Sequence, residues 1–192
     1  RPEDITFLLK QNVIQPTDVT QKERLIQSGE AHYSQMISVE KAPSATHLTH
    51  YDAAFRLGAD RMAQEIQQLG NRLMLHFPQK PIILISLVRA GVPIGVLLKH
   101  HIQQHQPCFH YGISIIRDRG IDHAALNAII QTHGAENIVF VDGWTGKGAI
   151  GQELTHTLRD YPALFDAGWS IPRLVTLADL AGCSWLSAST ED

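Results

Sequence analysis

A chain of 192 residues with 44% hydrophobic content holds enough apolar material for one self-supporting core, which excludes wholesale disorder. Its 16 Lys plus Arg against 19 Asp plus Glu leave a formal net charge of -3 with no dense basic run, which argues against a main task of gripping nucleic-acid backbone or an anionic membrane. Only two cysteines occur, Cys108 and Cys183, so a secreted disulfide framework is not expected and a cytoplasmic setting is.

The first fifty residues are polar and rich in Gln and Thr. One helix start is legible there: Thr20, with Glu23 three residues on and then Leu25 and Ile26, has the form of a capping box, and Gly29 stops the helix. After Pro43 a helical spacing runs through Leu48, Tyr51, Ala54, Phe55, Leu57, Met62, Ile66, Leu69 and Leu73, with Gly58 and Gly70 as points of division. From Pro81 the pattern changes to short apolar runs at 82–88, 109–116, 138–141 and 174–177, separated by helical segments at 92–104, 122–132 and 147–158. The longest apolar stretch, 82–98, is broken by Arg89, two glycines and Pro93, and is no membrane span. Four strands separated by three helices imply right-handed crossovers, hence an α/β fold with a Rossmann-like parallel sheet. In such sheets ligands sit beyond the carboxyl ends of the strands, so the turns at 88–92, 117–122 and 142–148 share one rim. The chain opens on Arg1 and stops at Ser-Thr-Glu-Asp, which reads as a fragment with a C-terminal continuation, a fused domain, to be expected.

The run 138–141 delivers Asp142, Gly143, Trp144, Thr145, Gly146, Lys147 and Gly148 to the start of a helix. Glycines let backbone N–H groups converge as a nest, the helix N-terminus adds about half a positive charge, and the Thr145 hydroxyl is a further donor, so an anion is well served there. The spacing matches neither a Walker A loop nor a dinucleotide-binding Gly-x-Gly-x-x-Gly turn. An acid ending a strand, then Thr-Gly, then a helix, resembles the diphosphoribosyl-binding motif of type I phosphoribosyltransferases, with a single acid, Asp142, where the usual pair would stand. The competing reading is a glycine-rich turn whose Asp caps the next helix.

Two more turns carry the same resemblance. Arg89-Ala90-Gly91 is similar to the diphosphate loop of uracil phosphoribosyltransferases, which exposes backbone N–H groups, often with a non-proline cis peptide, and Arg89 adds a fork matched to phosphate oxygens. Arg117-Asp118-Arg119-Gly120 resembles the start of the mobile loop that closes over substrate and excludes water. Ordinary strand ends and a charged solvent-facing loop account for the same residues more blandly.

Taken with Ser28-Gly29 and the segment from His32 to Met36, these motifs resemble the phosphoribosyltransferase-like proteins of bacterial tellurite-resistance and stress operons, a family also described as StiP-type cysteine proteases. The resemblance implies an N-terminal hood and helical cover over 1–80 and the catalytic core over 81–192. It further implies transfer of phosphoribosyl from 5-phosphoribosyl diphosphate (PRPP) to a nitrogen base, with Mg2+ and release of diphosphate. Arg117, Asp118 and Arg119 would be catalytic; Asp142, Gly143, Thr145, Gly146, Lys147, Gly148, Arg89, Ala90 and Gly91 would hold PRPP. His32 and Tyr33 would face the base, and Asp118 and Asp142 would help place Mg2+, which keeps several waters and needs few protein carboxylates. The partners implied are PRPP and a base, with no membrane, no strong nucleic-acid signature, and a homodimer compatible with the pattern. The single acid at Asp142 keeps a catalytically silent PRPP- or nucleotide-binding regulator as the alternative. A cysteine hydrolase ranks third, because it needs a thiolate beside a histidine, and Cys108 precedes a buried strand while Cys183 follows a glycine near the chain end.

Overall fold

The computed structural model describes residues 1–191. The chain divides into two units, Arg1–Leu9 with Asp60–Asp192, and Lys10–Ala59.

In the smaller unit, α1 spans Val19–Gln27. Its N-cap is Asp18, whose carboxylate accepts from the Thr20 and Gln21 N–H groups, and not the expected Thr20. A carboxylate two residues upstream reaches two of the unspent first-turn donors and complements the helix dipole. Gly29, at φ 73°, ends the segment. Helix α2 spans Ala45–His76 without a break at Gly58 or Gly70. A glycine costs a helix roughly 1 kcal/mol, which 32 residues absorb. Gly70 is spent on a close approach, since a Cβ there would stand 2.5 Å from the His101 ring.

The larger unit is built on a six-stranded sheet, all parallel, in the order β1-β3-β2-β6-β7-β8. The four expected strands are β2 (Ile82–Leu87), β3 (Cys108–Ile113), β6 (Ile138–Val141) and β7 (Leu174–Ala178), separated by α3 (Gly91–Ile102), α4 (His123–His133) and α5 (Ala149–Thr157). Strand alternation divides the core cleanly. Ile83, Ile85 and Phe140 pack with Leu126 and Ile129 of α4 and Leu154 of α5. Ile82, Leu84, Val139 and Val141 face the other way, onto Leu69 and Leu73 of α2 and Ile94 and Leu98 of α3.

Two edge strands, β1 (Thr6–Phe7) and β8 (Leu186–Ser189), join these four. Neither has a local signature, since a Leu-Ser-Ala-Ser segment becomes a strand only because β7 offers it a ladder. The run expected to reach 116 stops at Ile113. The chain then turns back on itself as the hairpin β4 (Ile115–Ile116) and β5 (Gly120–Ile121). Asp118 and Gly120 supply the positive φ values of 65° and 80° that the turn requires.

One polar cluster lies inside this unit. His110 of β3 and Ser86 of β2 are both buried and meet at 2.7 Å between Nε2 and Oγ. Gly95 of α3 makes the room, because a Cβ there would come within 2.3 Å of either side chain. His110 Nδ1 faces the Asp4 carbonyl at 2.9 Å, an atom that can only accept, so Nδ1 carries the proton. Burial holds the imidazole neutral, with its pKa down at about 4 against 6.5 when free. Between those values the unfolded chain takes up a proton that the native protein refuses, so stability falls as pH is lowered through that window. At about 1.36 kcal/mol per pH unit the loss approaches about 3 kcal/mol. Urea unfolding of His110→Gln and the parent at pH 4.5 and 7 is expected to show a correspondingly flatter acid limb in the variant; parallel limbs would contradict it.

Candidate functional site

The strand order reverses between β2 and β6, since the chain leaves β2 through α3 to β3 on one side and later places β6 on the other. A crevice opens at the carboxyl ends of such a strand pair. There the turns after β2 and β6 touch. A Cβ on Gly91 would stand 2.0 Å from the Val141 carbonyl oxygen, so no larger residue fits, and one on Gly143 would stand 3.4 Å from Ala90 Cβ. The Val88–Arg89 peptide is cis. Arg89 and Ala90 are exposed on this turn.

In the turn after β6, Asp142 is half-buried and its Oδ1 accepts from the Gly143 N–H at 2.8 Å. Burial raises its carboxyl above the ordinary range, and the Gly143 N–H partly offsets that. Gly146 and Gly148 take positive φ, at 53° and 83°, and Lys147 points to solvent. Thr145 is buried, and its hydroxyl is already engaged: it donates to Asp179 Oδ1 at 2.9 Å and accepts from the Ala181 N–H at 3.0 Å. Gly148 is the N-cap of α5 and supplies no side-chain acceptor. The N–H groups of the first helical turn therefore have no intrahelical partner and no capping side chain.

The loop leaving β7 completes this corner. The carboxylate of Asp179 accepts from the Cys183 N–H through Oδ1 and from the Ser184 N–H through Oδ2, both at 3.0 Å. These bonds fold residues 179–184 back over the start of α5. Cys183 Sγ packs on Gly151, where a Cβ would stand 2.6 Å from it, and lies 3.7 Å from a Cβ placed on Gly148. Half-buried, the Cys183 thiol is held above its ordinary pKa first by burial and then by the Asp179 charge, while the Thr145 hydroxyl works in the opposite direction. Cys108 is different in kind. It begins β3, at the amino edge of the sheet, and burial pushes its thiol up to about 12. Among the described residues no histidine hydrogen-bonds to either cysteine.

The other residues singled out in the larger unit are placed elsewhere in it. Arg117, Asp118 and Arg119 form the tip of the β4–β5 hairpin, and the Asp118 N–H donates to Glu153 of α5 at 2.9 Å. Asp118 and Arg119 line an open cleft of about 650 Å³ with His123, Glu153, His156 and Asp160. A helix turns about 100° per residue, so Glu153 and His156 point away from the side on which Gly151 meets Cys183. Among the described residues no group of three or more His, Cys, Asp or Glu side chains could hold a metal ion, so Asp118 and Asp142 do not form part of a protein-built cage. In the smaller unit His32 N-caps a short 3-10 helix (Tyr33–Gln35), with its N–H donating to Gln35 at 2.8 Å, Nδ1 at 2.8 Å from Ser34 Oγ, and its ring against Tyr33. No helix among the described residues is long and apolar enough to cross a membrane.

Asp179 was not among the residues singled out. An acid at the end of a strand, with a glycine three residues on at 182, is a looser counterpart of Asp142 with Gly143 and marks another rim turn.

Comparison with known proteins adds a family and two kinds of relative. The sequence model of the family described as tellurite-like stress resistance cysteine protease StiP matches residues 1–192. The cysteine protease StiP of Acinetobacter baylyi is 59% identical over 191 residues, which is 99% of this chain and 49% of that protein. The chain thus spans about half the length of this curated relative. Among solved structures, a hypoxanthine-guanine phosphoribosyltransferase of Bacillus anthracis is similar with a TM-score of 0.48 at 14% identity, over 68% of this chain and 77% of the other. The hypoxanthine phosphoribosyltransferase of Trypanosoma cruzi is similar with a TM-score of 0.47 at 13% identity, over 68% and 67%. The expectation of phosphoribosyl transfer, and of a silent PRPP-binding variant of it, is overturned here, because the matched family and relative are named as cysteine proteases. That is the class the residues alone ranked third, on the ground that Cys108 precedes a buried strand and Cys183 follows a glycine near the chain end. The chain belongs to the StiP family of tellurite-like stress resistance cysteine proteases.

Proposed function

We propose that this chain carries the nucleophile of a cysteine peptidase, and that the nucleophile is Cys183. The observation that carries the reading is the seat of its Sγ against Gly151, in the uncapped first turn of α5. A helix N-terminus favours a thiolate over a thiol, and its unspent N–H groups are donors for an oxyanion. The family name and the 59% identical relative point to the same class of chemistry.

In this reading the Cys183 thiolate attacks the carbonyl carbon of a peptide bond. A carbon–sulfur bond forms, and the negative charge that moves to the carbonyl oxygen is met by N–H groups of the α5 start. The carbon–nitrogen bond then breaks, and the amine leaves with a proton equivalent to the one the thiol gave up. Water cleaves the thioester, giving a carboxylic acid and restoring the thiol. With no histidine bonded to Cys183, ionisation of the thiol falls to the α5 N-terminus. Because the thiol stands above its ordinary pKa, hydrolysis should climb with pH through the alkaline range.

Iodoacetamide labelling followed by peptide mass mapping tests this directly. Hydrolysis of a mixed peptide library should disappear in proportion to alkylation of Cys183. Hydrolysis that survives complete modification of Cys183 overturns the assignment.

A further inference from the structure

The turn that presents Cys183 is held chiefly by one side chain, with the Ser184 hydroxyl also meeting Thr176 Oγ1 of β7 at 2.7 Å. Asp179 Oδ1 accepts from the Cys183 N–H and from the Thr145 hydroxyl, and its Oδ2 accepts from the Ser184 N–H. The Thr145 oxygen in turn accepts from the Ala181 N–H. Three N–H groups of the turn, at 181, 183 and 184, are thus gathered by one carboxylate and the one hydroxyl bonded to it. The hydroxyl comes from the turn after β6, so the network also joins two strand ends, β6 and β7, that the sequence separates by more than thirty residues. We propose that Asp179 is the positioning residue of Cys183, which, with Thr145 as its bridge, fixes the thiol over the first turn of α5.

Simple capping of a loop would need only one of these bonds. Here both carboxylate oxygens are used, and the single hydroxyl proton of Thr145 is committed to Asp179. The same carboxylate has an electrostatic consequence. The groups facing Sγ are Gly148 and Gly151 from the α5 start, Thr145 from the turn after β6, and Asp179 from its own loop. All but Asp179 are uncharged, and its negative charge opposes a second one on sulfur. Asp179 therefore places the thiol and, after burial, adds to what disfavours its thiolate. This inference rests on Cys183 as the nucleophile, but its principal readout does not.

That readout is the rate of iodoacetamide labelling at Cys183 as a function of pH, followed in the whole protein by mass mapping. Asp179→Asn keeps one acceptor oxygen for Thr145 and the Cys183 N–H while removing the charge. Its labelling midpoint should move to lower pH, so that near neutral pH Cys183 is labelled about three- to tenfold faster than in the parent. Thr145→Val removes the bridge, and its labelling plateau at high pH should rise about threefold or more as the turn loosens and exposes the half-buried sulfur. Thr145→Ser should restore the parent plateau, which separates the hydroxyl bond from mere packing. An unmoved midpoint in Asp179→Asn, or a plateau in Thr145→Val equal to the parent's, overturns the proposal. Circular dichroism melting of each variant establishes that the fold is intact. Peptide hydrolysis is measured alongside. If labelling behaves as expected but hydrolysis persists after Cys183 is blocked, the peptidase reading fails while the positioning role stands.

Discussion

Serine in place of Cys183 is expected to reduce peptide hydrolysis by at least about 10³-fold, with the melting temperature changed by only a few degrees. The two side chains are nearly the same size, so the contact with Gly151 survives and the Asp179 bonds to the backbone of the turn are untouched. What is lost is acidity. A thiol that starts above its ordinary pKa can still be ionised at a helix N-terminus, whereas an alcohol cannot. A serine nucleophile requires an adjacent general base, and among the described residues no histidine is bonded at this position. Cys108→Ala is the matched control. Its half-buried thiol stands at the amino edge of β3, pushed up to about 12, and that variant should retain the parent rate within about twofold. Equal hydrolysis by Cys183→Ser and the parent would remove Cys183 from the reaction.

Those two cysteines also explain how far the sequence could be read. The core strands were legible because they are buried on both faces and therefore read as unbroken apolar runs, Ile82 to Leu87 being buried throughout. The turns after β2 and β6 were legible because only glycine tolerates the approach of Gly91 to the Val141 carbonyl and the positive φ of Gly146 and Gly148. The chemistry served by the second turn was not legible. A glycine-rich entry to a helix presents the same unspent N–H groups to a phosphate as to a thiolate, and residues 142–148 read identically in both cases. What differs is the neighbour. Thr145 is taken up by Asp179, and Cys183 is laid on Gly151, through a loop whose position is fixed by the pairing of β7 with β6. Local pattern carries no trace of such a pairing. The hairpin at 115–121 was missed for the opposite reason: its turn rests on a non-glycine residue, Asp118, at positive φ.

Arg173→Ala is expected to cost about 3 to 5 kcal/mol, the range found when a buried charge and its partners are broken apart. Arg173 precedes β7 and is 4% exposed, yet every direction of its guanidinium is used. Nε donates to the Ile138 carbonyl at 2.9 Å, Nη2 to the carbonyls of Ala135 and Ala163 at 2.8 Å each, and Nη1 to the Phe165 carbonyl and Asp166 Oδ1 at 3.4 Å. The cation also stands 5.9 Å from the centre of the Phe77 ring. These partners belong to the entry to β6 and to the short 3-10 helix Pro162–Leu164 with the residues after it, which besides the guanidinium are tied by the bridge of Phe165 to Pro172 and the Arg173 N–H bond to the Leu164 carbonyl. Alanine leaves three close carbonyl oxygens without their donor, each costing about 1 to 3 kcal/mol before water or relaxation compensates. It also leaves Asp166 to Trp185 and His76 alone. Lysine keeps the charge but not the planar fork, and a single ammonium cannot reach carbonyls on opposite sides of the site, so Arg173→Lys should recover less than half of the loss. Urea denaturation read by tryptophan fluorescence measures both. A loss below about 1 kcal/mol for Arg173→Ala would mean that the carbonyls find water or new partners at little cost, and that the hold on the start of β7, and through it on the Asp179 loop, lies elsewhere.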